Sequence, residues 1–240
     1  MQFTPCDKCD KGFLYYREQG GFRSVQQCNC KKEYNEKVLL TSAIKKAGLP
    51  ISTIDYSVGS YLGQDSKGNL NKIGKYVSDF NTRYSKTNLF FSGVHGTQKS
   101  TLGRYIGREL IKQSLSVNYF LTDKLIKLLI KADRDPELER YVNEILDCDF
   151  LILDEMSTDK VVLYESGWQI KFLLPFLKDR IEMKEKAVLF ISNSSINNLG
   201  EAFSGAIQDL IYRSVIDKTM VFEDVHEHLK DEFDPTSLWD

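Results

Sequence analysis

From residue 88 onward, short unbroken apolar runs alternate with longer amphipathic stretches. The runs are "NLFFS", "VNYFL", "DFLILDE", "AVLFIS" and "TMVFE", and helically spaced stretches lie between them at roughly 100–114, 122–147, 164–184 and 205–216. A strand that is apolar along its whole length is covered on both faces, and intervening helices supply the crossovers, so the pattern predicts an α/β fold around a mostly parallel sheet. Ahead of this region Leu70, Ile73, Val77, Phe80 and Tyr84 mark one face of a helix. Residues 32–47 also read as helical and stop at Gly48 and Pro50, which cannot continue a helix. The first 31 residues have a different rhythm: aromatic and β-branched runs flank Gly20 and Gly21, the signature of a hairpin.

These changes of rhythm divide the chain into a small unit at 1–31, a linker helix at 32–50, a main domain at 51–223 and an acidic tail at 224–240. No internal repeat or low-complexity segment interrupts them. A chain of 240 residues can bury one sizeable core, and 28% charged with 42% hydrophobic residues is the balance of a globular protein. The net charge of −2 argues against a chain-wide footprint for nucleic acid, although it leaves room for a local basic patch. No apolar run is long enough to span a membrane, and "MQFTPCDKCDKG" has neither the basic start nor the apolar core of a signal peptide. A cytoplasmic protein with reduced thiols is expected, so clustered cysteines point to a metal before a disulfide.

Between the first strand of the main domain and its helix lies "SGVHGTQKST". Gly93, Gly96, Lys99 and Ser100 are spaced as in a P-loop, whose backbone amides cradle phosphates while the lysine reaches their outer oxygens. Gly93, Val94, His95, Gly96, Thr97, Gln98, Lys99, Ser100 and Thr101 are therefore the candidate nucleotide-binding residues. A second apolar strand ends in Asp154 and Glu155. Ligands bind at the C-terminal edge of open α/β sheets, and there Asp154, with the Ser100 hydroxyl, would hold Mg²⁺ through water. Glu155 would orient and deprotonate the attacking water. Without the P-loop the same pair would be a surface end to a core strand.

Asn193, at the end of "AVLFIS", is placed to hold that water or sense a terminal phosphate, or alternatively to cap a helix. Arg213 reads either as a solvated helix arginine or as one reaching the nucleotide of a neighbouring subunit. Lys124, Lys127 and Lys131 share a helix face opposite Leu125, Leu128 and Leu129. That face is either solvated or, in a ring of subunits, a track for single-strand phosphates, with Phe120 available for stacking. Gln98 departs from the P-loop pattern, which has glycine before the lysine. Unusual backbone geometry at that position costs a non-glycine residue about 1–2 kcal/mol. A site that binds ATP weakly, or hydrolyses it slowly, is the expectation.

Four of the five cysteines cluster, as Cys6-x₂-Cys9 and Cys28-x-Cys30, a four-thiolate set suited to zinc. The second pair is tighter than the usual spacing. A unit this small cannot build a core of its own, and metal binding contributes about 10–16 kcal/mol to the folding of such peptides. The lysines that follow, Lys31, Lys32, Lys37, Lys45 and Lys46, are interrupted by Glu33 and Glu36, so they do not make a strong basic patch. Cys148 lies apart, beside an apolar run, and reads as a small core residue.

The order "LFFSGVHGTQKST", "VNYFLTDKLIKLL", "DCDFLILDEMSTDK", "AVLFISNSSI", "IQDLIYRSVI" resembles the AAA+ ATPases of the DnaC and DnaI type, loaders of replicative helicases, together with their phage relatives and the related IstB-type transposition helpers. The resemblance covers roughly residues 50–223. It implies an AAA+ P-loop domain with a central, mostly parallel sheet, preceded by a zinc-ribbon-like module and a linker helix. It further implies ATP or ADP with Mg²⁺ at Gly93–Thr101 and Asp154–Glu155, Asn193 as first sensor, and Arg213 as an arginine finger between self-associating subunits. An N-terminal "CxxCxxG" with a later "CxC" also resembles the modules of phage loaders, which implies a replicative DNA helicase and single-stranded DNA as partners. Three functions stay open: helicase loader, transposition helper, or a zinc-containing scaffold with a decayed nucleotide site.

Overall fold

The computed structural model describes residues 3–17, 23–61, 68–156, 167, 169–215 and 219–222. The Gly20–Gly21 turn, the tail from 224 and the beginning of the 164–184 stretch lie outside the described residues. Strands β1 (Phe13–Arg17) and β2 (Arg23–Gln27) pair antiparallel and lead into helix α1 (Asn29–Lys46). Helix α2 (Asn69–Ser78) follows, wound on through Phe80–Tyr84, before strand β3 (Leu89–Gly93) and helix α3 (Lys99–Lys112). Strand β4 (Val117–Leu121), helices α4 (Thr122–Ala132) and α5 (Pro136–Asp147) and strand β5 (Phe150–Asp154) come next. A helical segment α6 (169–183), strand β6 (Ala187–Ser192), helix α7 (Gly205–Ser214) and strand β7 (Thr219–Phe222) complete the domain.

The expected strands form one sheet in the order β4-β5-β6-β3-β7, and all its pairings are parallel. Side chains alternate across a strand, so each strand supplies two cores. Phe90, Leu151, Leu153, Val188 and Phe190 face α4, α5, α6 and α7. Leu89, Phe91, Phe150, Ile152, Leu189 and Ile191 face α1, α2 and α3. The stripe predicted on α2 enters the second of these, with Ile73 and Phe80 buried and Leu70 and Tyr84 packed against it. Cys148 is buried, as expected.

Two expectations change. The 122–147 stretch is two helices, because Pro136 lacks an N–H and its ring clashes with the preceding turn. Asp135 caps the second helix by accepting from the Glu137 and Leu138 amides at 2.9 and 3.3 Å, with Pro136 at the favoured first position. The linker helix starts at Asn29 rather than 32, so it begins inside the cysteine unit and Cys30 lies on its first turn.

At its other end α1 joins the core, where Ile44, Ala47 and Leu49 are buried. The Tyr119 N–H donates to Ala47 O at 2.8 Å, so the linker covers the outer edge of β4, where a bare strand edge would invite pairing with another chain. Arg108 on α3 ties down the next segment by donating to Thr53 O and Ile54 O at 2.8 and 2.9 Å. Among the described residues no helix is long and apolar enough to cross a membrane.

Arg180 is fully buried and closes the end of α5. It donates to Ile145 O and Leu146 O at 2.9 Å, to Cys148 O at 3.1 Å and to Ala187 O at 2.8 Å. Burial lowers its pKa, an effect that the nearby Cys148 opposes. Arg180→Met strands these carbonyls without donors. Urea unfolding should therefore show a loss of about 1–3 kcal/mol, the range for leaving a buried acceptor without its donor.

Candidate nucleotide site and cysteine cluster

The loop between β3 and α3 is built by close approach. Gly93 has φ +146°, and a Cβ there would sit 1.9 Å from Phe222 O, so only glycine lets the loop leave the sheet beside β7. Gly103 lets α3 lie against the sheet, since a Cβ would come within 2.6 Å of Ile191 Cδ1. Lys99 is almost wholly buried and donates to Gly93 O at 2.8 Å, Val94 O at 2.7 Å and Thr97 Oγ1 at 3.0 Å. Burial pulls its pKa down to about 8 against the opposing attraction of Asp154. Thr97 in turn donates to Val94 O at 3.0 Å.

Asp154 meets this loop from β5. The Ser100 hydroxyl donates to Asp154 Oδ1 at 3.0 Å, as does the Glu155 amide at 2.8 Å. The other oxygen, Oδ2, accepts from the Tyr119 hydroxyl at 2.7 Å. Arg104 on α3 donates to the Tyr119 hydroxyl at 2.9 Å and lies 3.8 Å from Oδ2. Burial raises the Tyr119 pKa, and the neighbouring Asp154 adds to the effect. Asn193, at the end of β6, makes a 3.2 Å hydrogen bond with His95 Nδ1 of the loop. Because β6 lies between β3 and β5, the sheet order brings loop, acidic pair and amide to one edge. The donor set suits a phosphate-bound magnesium ion: a hydroxyl and a carboxylate oxygen within hydrogen-bonding distance, beside a lysine and the start of a helix.

Residues 50–223 match the family described as IstB-like ATP binding protein. The chain belongs to this family. A comparison with curated proteins finds no match. Among solved structures, this IstB-like chain is similar to DnaI, with 17% identity and a TM-score of 0.58 over 74% of this chain and 95% of that one. The DnaC helicase loader shows 18% identity and a TM-score of 0.56, over 72% and 98%. AMPPCP-bound DnaA from Aquifex aeolicus shows 17% identity and a TM-score of 0.53, over 72% and 49%. At these identities the likeness is one of fold alone, an α/β domain with a parallel sheet.

The remaining candidate residues of the IstB-like domain lie on α7, α4 and β4. Arg213 is on the exposed side of α7, paired with Asp209 at 2.9 Å. Lys124, Lys127 and Lys131 are exposed on α4, and Lys127 meets Asp123 at 3.1 Å, while Leu125, Ile126 and Leu129 are buried beneath them. Phe120 packs partly buried against the core rather than standing free to stack. Tyr119 and Arg104 are the residues that sequence reasoning missed. They lie far from Asp154 along the chain, and an alternating strand or a helix gives no sign of which hydroxyl will meet which carboxylate.

The cysteines converge. Sγ atoms of Cys6 and Cys9 are 3.7 Å apart, those of Cys6 and Cys28 3.7 Å, and those of Cys9 and Cys30 3.4 Å, with all four within 4.8 Å of one another. A tetrahedral zinc with Zn–S bonds of about 2.3 Å implies sulfur–sulfur edges of about 3.8 Å, which these spacings approach. The tight Cys28-x-Cys30 spacing is explained by α1: Cys28 is its N-cap and Cys30 lies in its first turn. The Lys8 backbone, then the Cys9 and Cys28 thiols, hold the Cys6 pKa down at about 7. The Cys28 N–H donates to Gly12 O at 2.8 Å, joining the two halves of the unit. Chelation should release one zinc per chain. Amide signals of residues 3–31 should then lose dispersion in NMR spectra while those of the sheet persist.

Gln98 has φ 58° and ψ 18°, the left-handed geometry that glycine adopts freely. This backbone belongs to the folded loop, so its cost is carried by folding stability rather than by ATP affinity. Gln98→Gly should stabilise the protein by about 1 kcal/mol in urea unfolding, the relieved strain less the entropy of a new glycine.

Proposed function

We propose that the chain is an ATP-controlled helicase loader that binds a replicative hexameric helicase and helps place it on single-stranded DNA. The observation that carries the motor part is the meeting of Lys99, Ser100 and Asp154 at one sheet edge. Bound ATP and Mg²⁺ would supply a phosphoanhydride and the charge to neutralise it. On the protein side, the loop amides and Lys99 bind phosphates, Ser100 and Asp154 hold the metal, Glu155 takes the proton of the attacking water, and Asn193 orients that water. Turnover is slow, because Gln98 places a side chain where the P-loop pattern has none. Glu155→Gln should lower kcat by about 10²–10⁴-fold, as expected when a general base is removed, and leave nucleotide binding intact.

The loader part draws support from the four-cysteine unit carried on α1 and from the fold shared with DnaI and DnaC. The zinc module is the surface we assign to the helicase. Arg213 is the residue offered to the nucleotide of a neighbouring subunit. Lys124, Lys127 and Lys131 face the single strand, and Lys127→Ala should reduce the salt dependence of single-strand binding by about one phosphate contact. Co-purification with a replicative helicase, with and without ATP, tests the reading directly: ATP-dependent capture is expected, and no capture in either state removes it. The family match also favours a second reading, an IstB-like transposition helper. ATP-dependent filaments on duplex DNA without helicase capture would select that one.

A further inference from the structure

Tyr119 has no part in the chemistry assigned so far, yet it stands at both ends of a connection. Its side chain is buried among the residues that pack β4 against α3. Its hydroxyl holds Asp154 Oδ2 at 2.7 Å while receiving Arg104 at 2.9 Å, and the Arg104 guanidinium lies 5.2 Å from the centre of the Tyr119 ring. Asp154 thus has two differently committed oxygens. Oδ1 meets Ser100, the candidate metal ligand, and Oδ2 is tied by tyrosine. The tyrosine bond on Oδ2, with the Glu155 amide on Oδ1, biases the carboxylate toward one orientation before any metal arrives. Partners of this kind are commonly worth 10–100-fold in metal affinity.

The backbone of the same residue holds the linker. The Tyr119 N–H donates to Ala47 O at 2.8 Å, immediately past the end of α1. Gly48 follows with φ +75°, and a Cβ there would come within 2.9 Å of Tyr119 O, so the two segments touch at main-chain distance. At its far end α1 carries Cys28 and Cys30, and midway it exposes Val38 and Leu39.

We infer that Tyr119, braced by Arg104, is a positioning residue for the metal-holding carboxylate of Asp154, and that it links the state of this carboxylate to the joint at Ala47–Gly48 from which the cysteine module is carried. The inference rests on the ATPase reading above. A tyrosine has two side-chain torsions, and packing leaves this one little freedom, so a displacement of Asp154 reaches the β4 backbone and its bond to Ala47. The module on α1 and the metal site are then coupled through Tyr119, beside the packing of α1 on α3.

The test uses the full chain, a fluorescent ATP analogue and Mg²⁺. Tyr119→Phe keeps the ring and removes the hydroxyl. Its Mg²⁺ half-saturation for nucleotide binding should rise about tenfold, with binding in EDTA unchanged and with a melting temperature lowered by the loss of one donor to a buried carboxylate. Arg104→Lys, which keeps a charge near the tyrosine, should give a smaller shift in the same direction. By hydrogen exchange, Mg²⁺ and nucleotide together should change the rate of the Tyr119 amide in the wild type and leave it unchanged in Tyr119→Phe. Superimposable Mg²⁺ curves for wild type and Tyr119→Phe overturn the positioning role. A Tyr119 amide indifferent to Mg²⁺ and nucleotide in the wild type overturns the link to α1. Nucleotide binding by the wild type that does not respond to Mg²⁺ would count instead against the ATPase reading on which both depend.

Discussion

A carboxylate only 2% exposed is costly to bury unless donors surround it, and Asp154 recruits them from three elements. Ser100 comes from α3, Tyr119 from β4, and the Glu155 amide from the chain just beyond β5. Satisfying one buried acid therefore fixes the helix after the phosphate loop against two strands of the sheet. The same corner brings the Ser100 hydroxyl onto the Asp154 carboxylate, next to the loop that Lys99 holds. Stability and chemistry are not separable at this point of the fold.

Two residues with left-handed backbone lie beside the same acid. Gln98 and Glu155 both have φ 58°, a conformation that costs a side-chain-bearing residue about 1–2 kcal/mol. One turns the chain into α3 and the other turns it away from β5. Sites of this kind retain strain where the surrounding structure over-determines the local geometry, and here the buried hydrogen bonds of Lys99 and Asp154 provide that constraint. A glycine at 98 would relieve the cost without altering the direction of the chain.

The N-terminal unit follows a different economy. Two short strands bury little by themselves, and Tyr15, Tyr16 and Val25 are exposed on the hairpin. Four cysteine sulfurs converge where a core is missing, and α1 carries the unit to the domain by inserting Ile44 and Ala47 among the residues that cover the sheet. The cysteine unit and the IstB-like core thus share one helix, with two of the cysteines at its start and a strand-edge bond just past its end.

Much of this was legible in the residues. The apolar runs marked their strands because parallel strands are covered on both faces, and the loop at 93–101 and the Asp154–Glu155 pair stood out as candidates by their fixed local spacing. The four cysteines were likewise readable as a set, since thiolates cluster for few other reasons in a reduced chain. The break at Pro136 was also written locally, in Asp135 and the missing amide, but the apolar periodicity on either side ran over it. Tertiary structure alone decided the strand order that puts Asn193 between the loop and the acid. It also decided the pairing of Tyr119 and Arg104 with Asp154, the burial of Phe120, and the place of Cys28 and Cys30 at a helix start. Local patterns record what a residue does within its own helix, strand or loop. Which side chains meet across a sheet edge depends on how separate segments pack, and no spacing along the chain encodes that.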